Sequence, residues 1–161
     1  MNKNNLTFRY ATVDDIPLVL SFIKELAEYE KMSEDVIATE DLLREMLFEK
    51  KRAEVFFALL DESEIGFALF FHNFSTFLGR AGLYLEDIYI QPQYRGNGYG
   101  KQIFKELSSI ALERGCGRLE LLCLDWNQPS IDFYKSMGAE PLNEWTVHRI
   151  TSDKFKSIIE K

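Results

Sequence analysis

Apolar positions at Ile16, Val19, Leu20, Ile23, Leu26 and Ala27 recur at the three-and-four spacing of one helix face, and Thr12 followed by Asp15 resembles a capping box ahead of them. A proline inside a helix clashes with the carbonyl four residues back, so Pro17 predicts that regular helix begins near Asp14. Leu6 to Ala11 alternates as a short preceding strand. A second helix is predicted by Thr39 as N-cap, Glu40 and Asp41 in the first turn, and Leu42, Leu43, Met46 and Leu47 on one face; Tyr29 to Ala38 reads as a loop. Beyond it the pattern turns to strands. Val55 to Leu60 and Ile65 to Phe74 are aliphatic and aromatic runs joined by Asp61-Glu62-Ser63-Glu64, a connection of hairpin length, and are expected to pair antiparallel.

Gly82 to Ile90 is a third long strand whose alternation breaks at Glu86-Asp87. A bulge or a ligand-facing opening accounts for two carboxylates inside an apolar stretch. From Gly98 to Arg114, Ile103, Leu107, Ile110 and Ala111 mark a helix face, with Gly115 as a left-handed C-cap residue. Arg118 to Asp125 reads as a strand, Pro129 as the first turn of a short helix ending at Gly138, Trp145 to Ile150 as a last strand, and 151–161 as a terminal helix or tail. Without internal repeats or linker-like composition, this order predicts one mixed α/β domain over residues 1–161.

Charge narrows the partners. The net charge of −7 argues against nucleic acid and anionic membrane, both of which call for a basic face. Residues 1–66 hold 15 acids against 8 bases and the remainder 11 against 11, so the excess acid lies in the first part, as solvated helix faces or as a cation-attracting surface. No stretch reads as a signal or a spanning segment, which points to the cytoplasm. Cys116 and Cys123 fit no zinc or redox spacing and are expected to be buried, reduced thiols. His72 and His148 are isolated and read as structural, and no metal is expected.

The stretch richest in chemistry is Arg95-Gly96-Asn97-Gly98-Tyr99-Gly100-Lys101, after a strand and before a helix. Glycines at alternate positions let backbone N–H groups converge, and a helix start adds unpaired donors and a positive dipole end, a construction suited to pyrophosphate. A Rossmann fold places such a loop after its first strand, whereas three strands precede this one; a nucleoside-triphosphate loop follows Gly-Lys with Ser or Thr, whereas Gln102 follows Lys101. The R-x-x-G-x-G form from Arg95 to Gly100, with Ile90 five residues upstream, resembles the coenzyme A signature of the GNAT superfamily. The resemblance covers nearly the whole chain and is nearest to the diamine acetyltransferases, the spermidine/spermine and thialysine enzymes. It rests on Glu25-Leu26-Ala27-Glu28-Tyr29-Glu30, Leu83 to Ile90, the glycine loop, and Asp125-Trp126-Asn127-Gln128 followed by Phe133-Tyr134-Lys135. This chain departs from the pattern in a shorter connection after Leu60, a shortened segment before Trp145, and Ser136-Met137 where the polyamine enzymes tend to be basic.

The resemblance implies a mixed, mostly antiparallel sheet with splayed fourth and fifth strands and about four flanking helices, acetyl-CoA as donor, a homodimer, and a small cationic amine as acceptor. The backbone of Ile88, Tyr89 and Ile90 would hold the pantetheine arm, Arg95 to Lys101 the pyrophosphate, and Asn127 and Ser130 the pantetheine or phosphate end, with Lys135 adding charge. A lysine-like amine is about 99.9% protonated at pH 7, so a base is required. Glu86 is the candidate to bind the ammonium and take its proton, directly or through water; Asp87 is expected to point to the opposite face as a structural acid. Tyr134 occupies the general-acid position, and Tyr29 and Glu30 the place where the diamine enzymes hold the far end of the amine. Plain strand pairing, a solvent-facing carboxylate and a core tyrosine are the structural alternatives for these residues. A protein or peptide N-acetyltransferase and a non-catalytic acyl-CoA-binding module are the alternatives for the whole.

Overall fold

The computed structural model describes residues 5–161, and the chain divides into two compact units, one ending at Leu124 and the other running from Asp125 to Lys161. In the first, β1 (Thr7–Tyr10) leads through a 3-10 turn, Val13–Asp15, into α1 (Ile16–Tyr29). There follow α2 (Glu40–Leu43), a π-helical stretch Arg44–Glu49, β2 (Glu54–Leu60), β3 (Ser63–Ser75), β4 (Arg80–Ile90), α3 (Tyr99–Glu113) and β5 (Leu119–Leu121). The strands form one sheet in sequence order, antiparallel except for β4 with β5, which run parallel.

Local chemistry sets these boundaries. The Asp15 carboxylate accepts the Thr12 backbone N–H at 2.7 Å, closing the predicted capping interaction over a 3-10 turn. Regular helix therefore begins at Ile16, two residues later than Pro17 alone suggests, and Pro17 falls in the first turn where a missing N–H costs nothing. Arg9 donates to Asp15 (2.8 and 2.9 Å) and to Glu64 (2.6 Å), joining β1, α1 and β3, and holds the Asp15 carboxyl well below the usual carboxylate range. Asp61 and Glu62, both at positive φ (48° and 66°), make the β2–β3 turn with two residues rather than four; positive φ at both positions matches the twist of paired strands. Thr39 accepts the Leu42 N–H at 3.3 Å as the predicted N-cap, although the following turns widen into π geometry.

On one face of the sheet Phe22 of α1 meets Phe67, Phe57 and Tyr89 at centroid distances of 5.6, 6.1 and 6.1 Å. On the other, Phe56 and Phe70 lie 5.9 Å apart, and Arg114, just past α3, sits over Phe70 and pairs with Glu54 at 2.9 Å. Gly115 takes the predicted left-handed conformation at φ 66°.

In the second unit Asn127 caps α4 (Gln128–Ser136) by accepting the Ser130 N–H at 3.3 Å, Pro129 sits in its first turn, and α5 spans Phe155–Ile159. Three expectations need correction. β5 is three residues rather than eight, because its pairing with β4 stops at Leu85. Trp145 to Ile150 is not a strand: its alternation is present, but a strand exists only where an edge supplies hydrogen bonds. Cys116 and Cys123 are reduced but partly exposed rather than buried.

Candidate active site

The break at Glu86-Asp87 is a β-bulge. Leu69 pairs with Asp87 and the next residue, Phe70, pairs with Leu85, so Glu86 is the extra residue of β4. Directly paired residues share a sheet face, and the extra residue therefore reverses the alternation of β4. Leu85 joins Phe70 on the α3 side, whereas Asp87 joins Leu69, and Tyr89 joins Phe67, on the α1 side. Simple alternation fails across a bulge, so the face of Asp87 follows from its pairing with Leu69 rather than from its place next to Glu86.

Asp87 is partly buried, and its carboxyl is pushed up to about 7, first by that burial and then by the charges of Glu86 and Glu30. Glu86 is exposed, and Glu30, in the turn after α1, is raised by burial. Three carboxylates from two elements thus share one neighbourhood. The sequence marks the adjacent acid pair but not the face on which Asp87 lies, which depends on the register with β3.

Past Leu85, β4 has no neighbour on its β5 side among the described strands. Gln91 N–H donates to Ile65 O at 2.9 Å, facing β3. Groups facing a partner alternate along an antiparallel ladder, so Tyr89 also faces β3 while Ile88 and Ile90 turn their N–H and C=O groups to the opened edge. Of the three predicted pantetheine contacts, this geometry offers the N–H groups of Ile88 and Ile90.

The glycine turn follows. Gly96 and Gly98 both have φ of 80°, and nothing lies within 4 Å of a Cβ added at either, so conformation rather than crowding calls for glycine. Asn97 closes the turn, its amide donating to Tyr94 O (3.0 Å) and Arg95 O (3.2 Å). Gly98 is the N-cap of α3 and no side chain caps it, leaving the first-turn N–H groups at Tyr99, Gly100 and Lys101 for an incoming acceptor. Arg95 is differently engaged: its Nε donates to Ile90 O at 2.8 Å, and its guanidinium carbon lies 4.7 Å from the Tyr29 ring centroid and 5.2 Å from that of Tyr89.

Asn127, Ser130 and Tyr134 belong to the second unit. Asn127 and Ser130 share the cap of α4, and Tyr134 lies on that helix beside Phe133, ring centroids 5.4 Å apart.

A sheet opened along β4, next to an uncapped helix start behind a glycine turn, defines an α/β protein with backbone donors suited to a phosphate-bearing ligand. The profile of the acetyltransferase (GNAT) family matches residues 20–139, and the chain belongs to that family. It is 37% identical to the thialysine N-epsilon-acetyltransferase of Bos taurus, covering 95% of this chain and 96% of that protein. It is 28% identical to an L-ornithine N5-acetyltransferase of Arabidopsis thaliana, covering 93% and 86%. Among solved structures, an integron cassette protein from the mobile metagenome of V. cholerae superposes with a TM-score of 0.79 at 26% identity over 98% of this chain and 99% of that one. An aminoglycoside acetyltransferase from a soil metagenomic sample (TM-score 0.75, 20% identity, 92% and 97% covered) shares the fold. The protein is an N-acetyltransferase that transfers the acetyl group of acetyl-CoA to an amine. The uncapped N–H groups of the α3 start and the open β4 edge fit that acetyl donor.

Proposed function

We propose that the acceptor is a small molecule with a primary amine and a second cationic centre: a diamine, a polyamine or a thialysine-like amino acid. The observation that carries this reading is the grouping of Glu30, Glu86 and Asp87. Two adjacent acids at a bulge and a third from the end of α1 exceed what one ammonium group needs, and a second positive centre would relieve the repulsion from Glu86 and Glu30 that adds to the effect of burial on Asp87. The names of the thialysine and ornithine relatives, whose printed substrates each carry more than one amine, support it.

Acetyl-CoA supplies the activated acetyl group; the chain binds, orients and moves protons. The backbone from Arg95 to Lys101, with Asn127 and Ser130, would hold its phosphate and pantetheine ends, and the N–H groups of Ile88 and Ile90 would receive its carbonyl-bearing arm at the open edge. Glu86, exposed at the bulge, binds the ammonium and takes its proton, directly or through a water, while Asp87 holds the same cation from the α1 side. The neutral amine then forms the new C–N bond as the thioester C–S bond breaks; the thiolate leaves with the bonding electron pair, and the second proton lost from the acetylated nitrogen passes to solvent or to that thiolate. Tyr134 stabilises that thiolate by hydrogen bonding. Full proton donation from a phenol of pKa about 10 to a thiolate of pKa about 8.5 is uphill by roughly 2 kcal/mol, so stabilisation precedes protonation. We also propose that residues 1–161 act as one acetyltransferase domain, in the cytoplasm and as a homodimer.

Glu30 separates this reading from a simple monoamine enzyme. Glu30→Gln is expected to raise the KM for a diamine about five- to tenfold with kcat little changed, and to leave a monoamine of equal length unaffected. Steady-state kinetics at saturating acetyl-CoA reads this out, and an unchanged diamine KM would remove Glu30 from the acceptor site.

A further inference from the structure

We propose that Arg95, the first residue of the glycine signature, is a positioning residue for the amine: its side chain fastens the end of α1, with Tyr29 and Glu30, to the end of β4. The inference rests on the diamine reading above for its kinetic consequence, but not for its geometry.

The side chain makes contacts on two elements besides its own turn. Its Nε bonds Ile90 O at 2.8 Å, which fixes the plane of the guanidinium, and its Cζ lies 4.7 Å from the Tyr29 centroid and 5.2 Å from the Tyr89 centroid. A planar, weakly hydrated cation is the group suited to aromatic faces, and a guanidinium held in one plane by a backbone acceptor cannot turn freely towards a separate anion. The backbone of the glycine turn and the α3 start supplies anion donors without it.

What Arg95 holds is a turn under local strain. α1 ends with Met32 N–H donating to Ala27 O (2.8 Å) and Lys31 N–H to Glu28 O (3.1 Å), an arrangement that requires the left-handed conformation at Lys31, φ 61°, where glycine would normally sit. Glu30 immediately precedes that residue. Its placement relative to Asp87 therefore depends on what pins the helix end, and the cation stacked on Tyr29 is a contact that reaches it from the glycine turn.

Consequently, losing Arg95 should loosen the amine side more than the coenzyme side. The test uses the full-length protein with Arg95→Gln and Arg95→Lys. Three quantities are measured: acetyl-CoA affinity by calorimetry without amine, diamine KM at saturating acetyl-CoA, and hydrogen exchange of the backbone amides of residues 30–36 without any ligand. In Arg95→Gln we expect the diamine KM to rise about tenfold, acetyl-CoA Kd to change by less than about threefold, and exchange over 30–36 to accelerate, with exchange in β2 unchanged as the control for folding. Lysine should restore little, because an ammonium keeps the charge but not the Nε bond or the planar stack. A rise of about tenfold or more in acetyl-CoA Kd, with diamine KM and exchange unchanged, would make Arg95 a phosphate ligand and overturn the proposal. Unchanged exchange in both variants would overturn it as well. If the wild-type enzyme turns over no diamine, the exchange data still decide the role of Arg95, and only the acceptor assignment falls.

Discussion

Tyr134→Phe is expected to lower kcat by about 10²- to 10³-fold while leaving the equilibrium affinity for acetyl-CoA within about twofold of wild type. The substitution removes one hydroxyl from α4 and keeps the ring beside Phe133 and the Asn127 side chain that caps the helix. A hydroxyl that acts on the departing sulfur matters only as negative charge builds there, so its loss belongs in kcat rather than in ground-state binding. The effect should shrink when the leaving thiol is more acidic than coenzyme A, since such a thiolate needs less help. Wild-type kcat in Tyr134→Phe would leave Tyr134 a packing residue and move the leaving-group role elsewhere.

Asp87→Asn is expected to change how stability depends on pH. A carboxyl whose folded value is about 7 and whose unfolded value is about 3.9 stays protonated in the folded state across a window where the unfolded chain releases the proton. The contribution is therefore present below about pH 4 and is lost as pH rises through 7. Three units correspond to about 4 kcal/mol at most, and solvent reaching a partly buried carboxyl reduces this to roughly 2 to 4 kcal/mol. Urea unfolding at pH 5 and pH 8 should show the wild type losing stability over that interval and Asp87→Asn losing markedly less. Bound diamine should counter the wild-type loss at pH 8, because a cation beside Glu86 and Glu30 favours the ionised form. Parallel pH dependences in the two proteins would mean that Asp87 is solvated like an ordinary aspartate.

What the chain discloses by itself follows from where its information is local. The glycine turn, the α3 face ending at Gly115, the Thr39 cap and the β2–β3 hairpin all depend on neighbours within a few residues, and each is found where the pattern places it. The acid pair marked the position of the bulge but not its effect: that an extra residue moves Asp87 to the α1 face depends on register with β3, more than fifteen residues away in sequence. The stacking of Arg95 on Tyr29 joins residues on different elements, with no periodic trace. The short β5 reflects an edge that leaves β4 after Leu85, and residues 145–150 show that alternation without a paired edge does not make a strand.

The central claim, acetyl transfer from acetyl-CoA to one amine of a small dication, is tested most directly by measuring free coenzyme A release across spermidine, spermine, putrescine, thialysine, lysine and a short peptide, with the mass of each product confirmed. Turnover on one or more of the small dibasic amines, each gaining a single acetyl group, is the predicted result. Turnover confined to the peptide, or acetyl-CoA bound tightly with no product from any acceptor, would contradict it.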